Sequence, residues 1–199
     1  MLLLLQLSGP PGSGKSTLAQ ALSRNLKDTI SINHDTLKSF LLANIPSLPF
    51  TESSKLSYSL QWTLAEDVLK QGKSVIIDST CNYPETLKAG QELAEKYGYE
   101  YLYIECRLED IDLLDRRLKG RSDTALRSQR TGVNHPPQGA GVGDINTEAD
   151  NRELFRRWIE SPCRPSNDQI IYADTTKSPE ECLDYVLKQI GLRAQGGQT

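Results

Sequence analysis

The chain has 199 residues, 37% of them hydrophobic and 25% charged, which suits one globular domain with a full core and excludes disordered and membrane-embedded classes. A formal net charge of −3 and a pI near 5.5 argue against an extended nucleic-acid-binding face, because such a face needs a basic excess. Cys81, Cys106, Cys163 and Cys182 form no C-x-x-C pair and have no histidine at ligand spacing. They read as reduced thiols of an intracellular protein, not as a zinc site.

Residues 2–8 are a short, nearly continuous apolar run and predict a strand buried on both faces. The same run lacks a charged leader and a small-residue cleavage site, so it does not read as a targeting segment, and it is too short to span a bilayer. After Lys15 the spacing changes, and Leu18, Leu22 and Leu26 mark one helical face. Residues 29–33 predict a strand and 34–44 a helix stopped before Pro46. A longer helix follows, with Leu56, Leu60, Leu64 and Val68 as its apolar face and Gly72 past its end.

The clearest core strand is Ser-Val-Ile-Ile-Asp at 74–78. A helix over 84–97 starts at proline and stops at Gly98. A strand over 99–106, a charged helix over 109–119, a strand over 169–173 and a helix over 178–190 complete the alternation, and 191–199 reads as a frayed tail. Tyr97, Tyr99, Tyr101 and Tyr103 are explained by β propensity rather than base stacking. Trp62 and Trp158 are assigned to the core or the base of a lid, and His34 and His135 to no metal or catalytic role. Residues 121–151 break the rhythm with glycines, prolines and arginines, the composition of a mobile flap. Alternation of this kind implies α/β architecture with a parallel sheet and helices on both faces. We read one domain over 1–190, with a lid and long flexible loop at about 116–151.

Gly9-Pro-Pro-Gly-Ser-Gly-Lys15-Ser16 fits G-x-x-x-x-G-K-[ST] between a strand and a helix. Backbone N–H groups of Gly9, Gly12, Ser13, Gly14 and Thr17 and the helix N-terminus favour phosphate there. Lys15 can reach the β- and γ-phosphates, and the Ser16 hydroxyl can ligate Mg²⁺. Binding of a nucleoside triphosphate follows, ATP in the first place with GTP open. Asp35 closes a second strand, where the carboxyl ends of parallel strands line a ligand crevice. It is a candidate general base toward an acceptor hydroxyl, or else the cap of the next helix. One turn on, Lys38 can hold an acceptor phosphate or be solvated. Asp78 ends the core strand and can serve the metal or the acceptor, and Asn82 is a candidate acceptor contact. Arg117 and Arg121, with Arg127 next, are candidates to close on the triphosphate and neutralise transition-state charge. Arg116 and Arg117 are adjacent on one helix, so at most one of them faces the site.

The phosphate loop, Ile-Asn-His-Asp35, Ile-Ile-Asp78-Ser-Thr and Asp-Arg-Arg…Arg121 together resemble the P-loop kinases of the polynucleotide kinase type, a group similar to gluconate kinases, chloramphenicol phosphotransferases and zeta toxins. The resemblance covers roughly 1–122 and resumes over 168–190. It implies a three-layer P-loop NTPase fold with a five-stranded parallel sheet, a flexible lid, ATP with Mg²⁺, and Asp35 as general base. In the bacteriophage polynucleotide kinase of that group an arginine follows the base by one turn, where this chain has Lys38, a point charge in place of a planar fork. The acceptor is therefore a hydroxyl-bearing small molecule or a nucleic-acid 5′-hydroxyl. The alternative is a nucleotide-dependent ATPase or switch acting on a protein partner. The expected location is cytoplasmic or another soluble intracellular compartment, with no membrane partner.

Overall fold

The computed structural model describes residues 2–137, 148–166 and 170–196. Strands β1 (Leu3–Ser8), β2 (Thr29–Asn33), β3 (Ser74–Asp78), β4 (Glu100–Arg107) and β5 (Ile170–Asp174) form one all-parallel sheet in the order β2-β3-β1-β4-β5. Helices α1 (Lys15–Asn25), α2 (His34–Asn44), α3 (Phe50–Lys70), α4 (Pro84–Tyr97), α5 (Ile111–Gly120), α6 (Glu148–Glu160) and α7 (Pro179–Gly196) flank it. The expected α/β, five-stranded P-loop NTPase fold is the fold observed.

The central strand shows how pleating divides the core. Leu3, Leu5 and Leu7 of β1 point to one face, where they meet Leu18 and Leu22 of α1 and Val186 and Ile190 of α7. Leu4 points to the other face, with Ala65 and Leu69 of α3, Val75 and Ile77 of β3 and Ala94 of α4. Gln6 shares that second face and is fully buried, yet every polar atom has a partner. Its amide donates to the Cys81 sulfur at 3.2 Å and the Thr86 carbonyl at 3.2 Å, and its carbonyl accepts from the Tyr101 hydroxyl at 2.8 Å. This network ties β1 and β4 to the segment after β3 that carries Asn82.

Four readings of the sequence need correction. Leu56, Leu60 and Leu64 are 47%, 38% and 39% exposed, and the buried face of α3 is instead Ser53, Ser57, Gln61, Ala65, Val68 and Leu69. Small side chains let α3 lie close to its neighbours, and helix carbonyls take up the serine hydroxyls, as in Ser53 Oγ to Phe50 O at 2.7 Å. Helix α6 was not expected. Its Phe155 is fully buried against Leu108, Leu114, Leu118 and Val133, so a satellite core stabilises it. That helix and α5 shorten the lid segment at both ends, since Arg116 to Gly120 are helical and α6 begins at Glu148. Finally, α7 does not end at Ile190 but runs to Gly196, held by Arg193 Nη2 donating to the Ile170 carbonyl at 3.0 Å. Residues 138–147 of the expected lid, Gln169 of the expected strand and 197–199 of the expected tail lie outside the described residues. Among the described residues, no helix is long and apolar enough to cross a membrane.

Gly90 on α4 marks the closest approach of helix to sheet, for a Cβ there would collide with Gln6 Oε1 and meet Tyr101 and Trp62 at 3.0 and 3.1 Å. Gly90→Ala is expected to destabilise the fold by about 1–3 kcal/mol through overpacking, read as a lower urea midpoint at unchanged m-value.

Candidate functional site

All five strands end on one edge of the sheet, and the polar residues of the site stand on those ends. The loop after β1 turns sharply enough to require glycine. Gly9 has φ +135°, and a Cβ there would lie 2.5 Å from the Cys106 carbonyl oxygen. Gly12 has φ +87° and packs against the Leu114 carbonyl and the Leu118 side chain. The loop thus lies directly on β4 and α5, and its amides are presented at the N-terminus of α1.

Lys15, the first residue of α1, is buried, and its ammonium donates to the carbonyls of Gly9 at 2.8 Å and Pro10 at 2.9 Å. Burial pulls its pKa below the ordinary lysine value, while Asp78, Cys106 and Asp35 act in the opposite direction. Asp78 ends β3 opposite Asn33 of β2. Burial pushes its carboxyl up, against the pull of Lys15 and hydrogen bonds from the Ser16 hydroxyl and the Asn33 amide. Asn33 has two tasks, because its carbonyl also caps α2 by accepting from Thr36 N at 2.9 Å. The cap places Asp35 in the first turn of α2, so Asn33 rather than Asp35 fills the capping role.

Asp35, Lys38, Asp78, Asn82, Arg117 and Arg121 all line one cavity of about 980 Å³, together with Gly12, Gly14, Lys15, Ser16 and Thr17 of the loop. Gly9 and Ser13 sit behind that lining, Ser13 fully buried. Lys38 is not solvated but 7% exposed, with its Nζ 3.3 Å from the centre of the Phe50 ring. Arg117 donates to the Thr175 carbonyl at 2.8 Å. Its neighbour Arg116 is exposed beside Asp110. Arg121 is part-buried, and its Nε has no partner among the described residues. Burial lowers its pKa while Asp35 and Asp78 favour its charged form. Arg127, in contrast, is exposed and outside the cavity, because the turn at 127–129 directs Ser128 inward instead. Arg130 takes the inward position and donates to Val133 O at 2.7 Å and Asn151 Oδ1 at 3.2 Å.

Several lining residues were not singled out from sequence. Tyr58 of α3 donates to the Thr80 carbonyl at 3.1 Å and stacks on His34, with ring centres 4.1 Å apart. Ser128 and Gln129 touch Asp35 from a segment more than ninety residues away in sequence. Asn33, which supports Asp78 from outside the lining, had a local signal, a polar residue directly ahead of a helix start.

The cavity fits a triphosphate and a hard cation. The loop holds a backbone cradle that side chains would fill, Ser13 Oγ is buried without a partner among the described residues, and Ser16 with Asp78 presents oxygen donors side by side. Fold and site together define a P-loop NTPase-type α/β domain. A family model described as an AAA domain matches residues 4–134, and the chain belongs to that family. None of the curated proteins matches it. Among solved structures, it is similar to a candidate kinase from Chloroflexus aurantiacus, at 20% identity and TM-score 0.70 over 94% of this chain and 97% of that one. The Mycobacterium tuberculosis APS kinase CysC, in complex with AMPPNP and APS, aligns at 20% identity and TM-score 0.60 over 96% and 98%. A gluconokinase from Sinorhizobium meliloti aligns at 14% identity and TM-score 0.61 over 97% and 94%. At these identities the likeness establishes the shared fold.

His34 supplies a pH test of the packing beside Asp35. Burial, with Lys38 adding to it and Asp35 and Gln61 opposing, pushes its imidazole down to about 4. The unfolded chain binds a proton near pH 6.5 that the folded chain refuses, so stability is full above that pH and is lost as pH falls toward about 4. His34→Gln is expected to remove about 2 kcal/mol of the stability difference between about pH 7 and pH 5, measured by urea unfolding at both.

Proposed function

We propose that the chain is an ATP·Mg²⁺-dependent kinase that moves the γ-phosphate to an acceptor hydroxyl, with Asp35 as general base. The observation that carries this reading is the convergence of Lys15, Asp35, Asp78 and Arg121 in one cavity, each within electrostatic reach of the others. Backbone amides of the loop and Lys15 bind and orient the triphosphate. Ser16 and Asp78 would hold Mg²⁺, which when bound would neutralise charge developing on the phosphate oxygens. Asp35, across from Lys15, accepts the acceptor's proton, so the attacking oxygen gains nucleophilicity as the bond to phosphorus forms. Arg121, the residue directly after α5, favours the charge spread over the transferring group.

A hydroxyl-bearing small molecule is the acceptor this cavity suits better than a nucleic-acid 5′ end. Its acceptor side is walled by Phe50, Tyr58 and His34, with Lys38 buried among them, and the chain carries a net negative charge. GTP in place of ATP is compatible with the same loop.

The reading is tested with γ-labelled ATP·Mg²⁺ and a panel of gluconate, APS and a 5′-hydroxyl oligonucleotide. Lys15→Ala is expected to abolish detectable transfer, and Asp35→Asn to lower it by about 10²–10⁴ to a slow, measurable rate. Calorimetric titration is expected to show ATP·Mg²⁺ binding nearly intact in Asp35→Asn and weakened in Lys15→Ala. Wild-type transfer by Asp35→Asn would end the base assignment. Label appearing only in inorganic phosphate across the panel would favour the ATPase or switch.

A further inference from the structure

Both oxygens of the Asp35 carboxylate are held by the segment that follows the lid arginine. Gln129 Nε2 donates to Asp35 Oδ2 at 3.0 Å. Its amide cannot flip without loss, because Gln129 Oε1 accepts from Leu126 N at 3.1 Å. Ser128 Oγ lies 3.1 Å from Asp35 Oδ1 and 3.0 Å from the Asp35 carbonyl. The Ser128 amide donates to Ser39 Oγ at 3.0 Å, whose hydroxyl lies 2.9 Å from Ser128 Oγ. The proton order is thereby directed: amide to Ser39, Ser39 to Ser128, Ser128 to Asp35. Ser128 and Ser39 are buried, so these bonds are shielded from competing water.

The same segment bears on the arginines. Arg121 Nη2 reaches the Arg130 carbonyl at 3.4 Å, and Arg130 is itself fastened to Val133 O and Asn151 Oδ1. One short stretch therefore fixes the base candidate at one end and the transition-state arginine at the other.

We propose that Gln129, seconded by Ser128, is a positioning residue that sets the direction of the Asp35 carboxylate and couples it to Arg121. The proposal rests on Asp35 acting as base. Each Asp35 oxygen keeps a lone pair beyond the one it gives to this Gln129–Ser128 latch, and fixing the first directs the second toward the cavity. Displacement of 126–130 releases the base and Arg121 together, so chemistry requires the segment in place.

The test uses the full chain under single-turnover conditions with γ-labelled ATP·Mg²⁺, following loss of the γ-phosphate to water, the smallest acceptor the same base activates. Gln129→Ala is expected to lower the rate on the order of tenfold, with the ATP dissociation constant and the melting temperature unchanged. Gln129→Asn, too short to reach Asp35, is expected to match it. In an Asp35→Asn background, Gln129→Ala is expected to have no further effect. Hydrogen exchange over 126–130 is expected to accelerate in Asp35→Ala. A Gln129→Ala loss of equal size in both backgrounds would assign Gln129 to lid folding and overturn the latch. A silent Gln129→Ala beside an inactive Asp35→Asn would overturn the latch while the base stands. A wild-type rate in Asp35→Asn would remove the base and the latch with it.

Discussion

A buried lysine ammonium organises this molecule. Lys15 begins α1 inside the turn that precedes it, and the carbonyls of Gly9 and Pro10 supply its hydrogen bonds. A cation in that place is tolerated because two carbonyls and the nearby carboxylates Asp78 and Asp35 offset its desolvation. The loop can fold around it only because Gly9 and Gly12 adopt positive φ against β4 and α5. In the function proposed here, triphosphate oxygens would compete for the same ammonium, with the loop amides and the start of α1 adding to their attraction. Placement of Asp78 by β3, of Asp35 by the Asn33 cap and of Arg121 by α5 then has meaning relative to one fixed charge.

The fold was largely legible because its signals are local. The runs at β1 and β3 are apolar on both faces and bounded by Gly-Pro-Pro-Gly and Ser-Thr, and a strand buried on both faces needs that pattern. α3 shows where the rule fails. Leucines at four-residue spacing marked a face, yet the helix buries the stripe beside it, since serine hydroxyls satisfied by helix carbonyls cost little to bury and permit close packing. α6 escaped notice because its apolar residues, Phe155, Trp158 and Ile159, are few and highly charged neighbours surround them. Its partners lie on α5 and at Val133, far away in sequence.

The site divides along the same line. A contiguous motif announces the phosphate loop, and Asp35, Lys38, Asp78, Asn82, Arg117 and Arg121, read from their place at or near strand ends and around α5, line the same cavity. Arg127 was chosen for proximity in sequence, and the direction of a turn, which composition does not encode, placed Arg130 inward instead. Ser128 and Gln129 were illegible for a related reason. A serine and a glutamine in a loop have no meaning until a long-range contact brings them against Asp35.

The most direct measurement is the position of Lys15 Nζ in a crystal structure with AMPPNP and Mg²⁺. If this loop is the centre of phosphoryl transfer, Nζ leaves the Gly9 and Pro10 carbonyls for the β- and γ-phosphate oxygens. The metal then lies between Ser16 and Asp78, and the terminal phosphate faces Asp35. A triphosphate bound elsewhere, with Nζ still on both carbonyls, would contradict the account.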